Sequence, residues 1–222
     1  MVSRSHEWDI TIQGLVDFGK SLVRATGVGA RDRVGLLVGG AAGEGNPLLM
    51  RIMLGVYILT RAFESHDAVR SDILKQCQQE ILNDSDCSIY YIHLLARLCI
   101  ECKPAVAEHS GLVKECLDCF LVILPGVAVH FFISILPLLA CTADLKNYAV
   151  IVLRKAMFSR NYDHRLTAVK CLMHLALADA LPDFRTLVGS HASCSQQSQV
   201  NLSASIGEVG HDLLGFLRKG LK

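Results

Sequence analysis

Charge of one sign is what this chain lacks: 22 lysines and arginines against 21 acidic residues leave a formal net charge of +1. Whole-chain charge therefore gives no support for nucleic-acid binding, and any such contact has to come from a local patch. A phosphate-binding loop is also missing. The glycine-rich run GLLVGGAAGEG at 35–45 has no Gly-Lys-Ser/Thr ending, so it offers neither the phosphate-binding lysine nor the magnesium ligand. The nine histidines are dispersed, with no His-Glu-x-x-His or similar spacing to place two ligands on one helical face. No nucleophile with its base and no paired carboxylates stand out. An enzyme is the least supported class. Nor is there a basic leader or a cleavage signature near Met1, and nine cysteines, an odd number, do not read as a disulfide framework. The expectation is free thiols in a reducing compartment.

What is present is apolar text at helical spacing. Hydrophobic residues make up 51% of the 222 and charged residues 19%, too apolar for disorder and enough to expect apolar surface meeting a partner. Between Trp8 and Thr26, Trp8, Ile12, Leu15, Val16, Leu22 and Val23 recur at three- and four-residue steps, predicting an amphipathic helix. Seven glycines over 27–45 predict a flexible loop. Asn46-Pro47 predicts a helix start, followed by a helix to about Glu64.

Further helices are predicted over Asp67–Leu82, Asp86–Glu101, Pro104–Leu124, Gly126–Cys141, Asp144–Ser159 and Asp163–Ala180. Asp84 or Ser85, Asp144 and Asp163 are the expected caps, and Pro104 and Pro125 the expected first-turn prolines. A polar stretch at 189–205 reads as a loop and 206–222 as a last helix. The fold class predicted is all-α, an α-solenoid of antiparallel helix pairs over 1–188, with a compact bundle as the alternative.

Two runs need weighing. Cys99-x-x-Cys102 and Cys116-x-x-Cys119 have roughly zinc-ribbon spacing. Zinc cysteines sit on tight turns, whereas these sit in helical text, so buried free thiols are the preferred reading and zinc the alternative. Phe120–Cys141 carries no Asp, Glu, Lys or Arg and is long enough to span a bilayer. Pro125-Gly126 splits it, Pro137 interrupts its second half and His130 is titratable, so two buried helices are expected and no membrane. A basic cluster, Arg154, Lys155, Arg160, His164, Arg165 and Lys170, straddles two predicted helices. Taken alone it reads as solvated helix-end charge.

The segment Ala149-Val150-Ile151-Val152-Leu153-Arg154-Lys155-Ala156-Met157-Phe158 resembles the one around the ubiquitin-accepting lysine of the Fanconi anaemia group I family. Asp163, Arg165 and Ala168-Val169 follow at the family's spacing, and Trp8-Asp9 with Gln13-Gly14-Leu15-Val16 resembles the start of the same solenoid. Ser193-Cys194-Ser195-Gln196-Gln197-Ser198-Gln199 is similar to the family's Ser-Gln cluster. The resemblance covers most of this chain but only a middle portion of the longer family members.

It implies a non-catalytic nuclear scaffold for DNA interstrand-crosslink repair, without cofactor. Lys155 would accept one ubiquitin from a dedicated ligase, Ser195 and Ser198 would be phosphorylated, and the protein would pair with its group D2 paralogue on DNA. Arg154, Arg160 and Arg165 would then face phosphate. Lys155 shares a helical face with Tyr148, Ile151 and Val152, so a partly covered lysine near a partner surface is expected. The alternative function is a generic helical-repeat adaptor.

Overall fold

The computed structural model describes residues 3–24, 47–83 and 87–180. The Gly-rich segment, the Ser-Gln stretch with Ser195 and Ser198, the last predicted helix and the caps expected at Asn46, Asp84 and Ser85 all lie outside these residues. Every regular element among them is helical, as the periodicity predicts. They divide into two compact units between Val113 and Lys114.

In the first unit α1 (Ser3–Val23) packs on α2 (Pro47–Ser65). The pair is antiparallel: Gly19 of α1 lies against Ile58 and Leu59 of α2, and Gly55 of α2 lies against Leu22, Val23 and the carbonyl of Gly19. Absent side chains at these two glycines let the helices approach closely. α3 (Asp67–Leu82) is joined to α1 by Lys20 on Asp72 at 2.5 Å, and to Arg24, the residue after α1, by Glu80 at 3.0 Å. α4 (Ser88–Glu101) packs on α2 and α3 and buries Tyr91, Leu94, Leu98 and Cys99. Apolar side chains removed from water in this way, at roughly 25 cal/mol per Å², are what hold the unit together.

The predicted helix Pro104–Leu124 is two shorter ones, α5 (Lys103–Glu108) and α6 (Ser110–Asp118). The His109 ring engages the Ala105 carbonyl at 3.0 Å while its own N–H turns to Val106 three residues back, and Ser110 and Gly111, poor helix formers, follow. Pro104 and Pro125 both occupy first turns, as expected.

The uncharged run does not form one span. Its first part is a turn, Leu124 is extended before Pro125, and α7 (Pro125–Leu139) has 15 residues. That is about 22 Å at 1.5 Å per residue, short of a hydrocarbon core of about 30 Å. No helix among the described residues is long and apolar enough to cross a membrane. α7 buries Phe131, Phe132, Ile135, Leu138 and Leu139 instead. Pro137 does not interrupt it, since the helix closes two residues later.

Candidate functional site

α8 (Ala143–Met157) and α9 (Tyr162–Ala180) form an antiparallel pair in the second unit, with α9 also packed on α7. Leu145, Ala149, Leu153, Ala156 and Met157, at four- and three-residue steps, supply the buried stripe of α8. Asp144 in its first turn and Arg154 and Lys155 in its last suit the helix dipole. Asp144 is a first-turn residue rather than the expected cap, which falls at Thr142 with no side-chain hydrogen bond. Alignment of the pair comes from Lys146, whose ammonium donates to both carboxylate oxygens of Asp179 at 2.8 and 2.7 Å.

That packing leaves the opposite face of α8 outward. Lys155 is exposed, not partly covered. Ile151, four residues before it, is 62% exposed, and Phe158, three after, is 76% exposed. Side chains at these spacings share one helical face. Tyr148 extends the row and is half-buried. Its hydroxyl donates to Asp118 of α6, and the Lys114 ammonium lies 5.7 Å from its ring centroid. The bond to Asp118 raises the Tyr148 hydroxyl above its ordinary range, with desolvation and the carboxylate charge adding to it.

The basic candidates separate. Arg154 is half-buried and Arg160 is exposed in the turn. Arg165 is engaged with the backbone of the preceding turn: Nη1 donates to the Ser159 and Arg160 carbonyls, each at 2.9 Å, and the guanidinium lies 5.6 Å from the Tyr162 ring centroid. The cap of α9 is not Asp163 but Asn161, whose Oδ1 accepts the Asp163 N–H at 2.8 Å. Sequence reading missed both the cap and the role of Arg165. An asparagine just before the periodic run beginning at Tyr162 was the available signal for the cap.

Cys99, Cys102 and Cys116 are buried and Cys119 is half-buried, with the first pair in one unit and the second in the other. Among the described residues no group of three or more His, Cys, Asp or Glu side chains is placed to hold a metal ion. Burial pushes the Cys99, Cys116 and Cys171 thiols up to about 12. Because the thiolate is the reacting form, a short treatment with iodoacetamide at neutral pH is expected to label exposed Cys141 well before these three. Peptide mapping checks the order; early labelling of Cys99 or Cys116 would mean the helices open readily.

The chain matches the family described as FANCI solenoid 2 over residues 11–173. It is similar to the Fanconi anemia group I protein of Gallus gallus, 30% identical over 233 aligned positions that cover 96% of this chain and 16% of the relative. It is also similar to the Fanconi anemia group I protein homolog of Mus musculus, 28% identical over 200 positions covering 87% of this chain and 14% of the relative. The chain thus spans about one-sixth of the length of these curated relatives. The described helices, their pairing and the matched segment together place this chain in the Fanconi anaemia group I family, as its solenoid 2 segment.

Proposed function

We propose that this segment is the ubiquitin-accepting part of a non-catalytic scaffold for DNA interstrand-crosslink repair in the Fanconi anaemia pathway, with Lys155 the acceptor. The observation that carries the reading is the setting of Lys155. It lies exposed on the last turn of α8 and in no ion pair among the described residues, between exposed Ile151 and Phe158. A lysine kept only for solubility has no need of two large apolar neighbours held in water on its own face. Such a ridge supports contact with a protein partner, and the group D2 paralogue is the partner proposed. Nuclear location and phosphorylation of Ser195 and Ser198 belong to the same reading. Each phosphate would add about −1.5 to −2 charges near neutral pH.

DNA contact is proposed through the assembled complex, by phosphate rather than base recognition. Arg160 is the best placed candidate because it is exposed, and Arg154 is the second. Arg165 makes its hydrogen bonds to turn carbonyls. A second reading, a helical adaptor without an acceptor role, is favoured by a separate observation: Leu166, Met173 and Leu177 form an exposed apolar stripe along α9.

The deciding experiment is reconstituted modification by the pathway's conjugating enzyme and ligase, mapped by mass spectrometry, in wild type and Lys155→Arg. One ubiquitin on Lys155, lost in the variant, is expected. Modification elsewhere, or none within a full-length homologue carrying this segment, would leave the adaptor reading.

A further inference from the structure

α9 is apolar on two sides. Ala168, Cys171, Leu172 and Leu175 are buried on the side packed against α8 and α7. On the other side Leu166, Met173 and Leu177 are 38%, 50% and 46% exposed. Their spacing puts these three in one narrow stripe, about 16 Å long at 1.5 Å per residue. A helix with apolar residues on both sides is built to be packed on both.

The sequence beyond α9 holds a segment that fits the outer stripe. Residues 206–222 lie outside the described residues, and their pattern comes from the sequence alone. Ile206, Val209, Leu213, Phe216 and Leu217 recur at three- and four-residue steps, whereas Glu208, His211, Asp212, Arg218, Lys219 and Lys222 would all fall on the opposite face of a helix. Ile206 and Leu217 have the same separation as Leu166 and Leu177, so an antiparallel pairing aligns the two stripes end to end. In that register Gly210 falls opposite Met173, leaving room for the longest side chain of the stripe. Asp212 comes level with Lys170, the exposed cation beside it. Residues 181–205 supply ample chain for the return, because Ile206 has only to come back to the Leu177 end.

Helix propensity points the same way. Gly207, Gly210, Gly215 and Gly220 each cost about 1 kcal/mol relative to alanine within a helix, so this segment gains helix only where its apolar face is buried. Tethered to α9, it meets the stripe at an effective concentration on the order of millimolar, ahead of a separate partner of equal affinity.

We infer that residues 206–222 close back onto α9 as an antiparallel amphipathic helix over Leu166, Met173 and Leu177, so that the chain itself occupies the stripe. Any partner of an adaptor would then have to displace this segment first. Lys155, on α8, plays no part in the closure, which stands or falls apart from the acceptor reading.

The test uses the whole chain, wild type and Leu213→Glu/Leu217→Glu, treated briefly with dilute hydrogen peroxide, with methionine sulfoxide mapped by mass spectrometry. Met50, 68% exposed on α2, is the internal standard. Relative to Met50, Met173 is expected to oxidise about tenfold faster in the variant than in the wild type, as uncovering a protected site requires. A second variant approaches from the other side. Leu166→Glu/Leu177→Glu, at exposed positions, is expected to speed amide hydrogen exchange across 206–217 by about tenfold while exchange in Ala143–Met157 stays unchanged. Equal Met173 rates in wild type and Leu213→Glu/Leu217→Glu, with wild-type exchange over 206–217 already unprotected, would overturn the inference and leave the stripe to a partner protein. Protection of Met173 that rises with protein concentration, in step with a dimer seen by light scattering, would assign the stripe to a second copy and overturn it equally. Protection that is independent of concentration supports closure by the chain's own segment.

Discussion

Replacing Lys146 by methionine is expected to destabilise the α8–α9 pair by about 3–5 kcal/mol, the usual cost of removing one partner of a buried ion pair. The asymmetry of the pair decides the size. The Asp179 side chain is 6% exposed and the Lys146 side chain 23%. Without the ammonium, the carboxylate is stranded where water cannot solvate it. Asp179→Leu removes the opposite partner and should cost less, because the long Lys146 stem can carry its charge outward. The double variant Lys146→Met/Asp179→Leu should recover most of the loss, since two apolar side chains substitute well for a buried pair. Urea denaturation of the four proteins, with hydrogen exchange followed at Ala143–Met157 and Tyr162–Ala180, measures the cycle. A Lys146→Met protein as stable as wild type would show that the pair contributes nothing and that apolar burial alone aligns the helices.

Gly55→Val is expected to disrupt the α1–α2 crossing. A β-carbon at Gly55 would stand 2.8 Å from the Gly19 carbonyl oxygen and 2.9 Å from both Leu22 Cβ and Val23 Cγ2. One of these atoms is backbone and another a β-carbon fixed to it, so relief requires α1 itself to move. Overpacking of this kind costs about 1–3 kcal/mol. Replacing a helix-interior glycine returns less than about 1 kcal/mol, so the clash wins. Gly14→Ala on the same α1 is the control: its β-carbon would meet nothing within 4 Å. It should stabilise by up to about 1 kcal/mol. Denaturation midpoints moving in opposite directions would support this packing. A Gly55→Val protein at or above wild-type stability would mean that the helices do not cross this closely.

The helix class was legible because burial on one face imposes a 3.6-residue period on any amphipathic helix. Asp67–Leu82 was read to the residue, and Ser88–Glu101, Pro125–Leu139 and Ala143–Met157 to within two at each end. The break at His109 was not legible, since it arises from a ring reaching back to the Ala105 carbonyl within otherwise helical text. Pro137 misled in the other direction. Proline predicts an interruption on local grounds, yet α7 continues for two residues past it.

At the candidate site, sequence alone determined the helical register, and so placed Tyr148, Ile151 and Lys155 on one face of α8; the likeness of residues 149–158 to a known acceptor segment pointed to Lys155 among the lysines. Only the tertiary structure decided which face is turned to solvent. Periodicity groups residues into stripes, but exposure depends on what α9 and α7 cover, and they cover Leu145, Ala149 and Leu153 rather than Ile151 and Lys155. The basic cluster shows the same division. In sequence Arg154, Arg160 and Arg165 were equivalent cations; in three dimensions Arg165 binds its own turn while Arg160 faces water. Hydrogen-bond partners are set by where the chain reverses, and that position depends on how the helices pack.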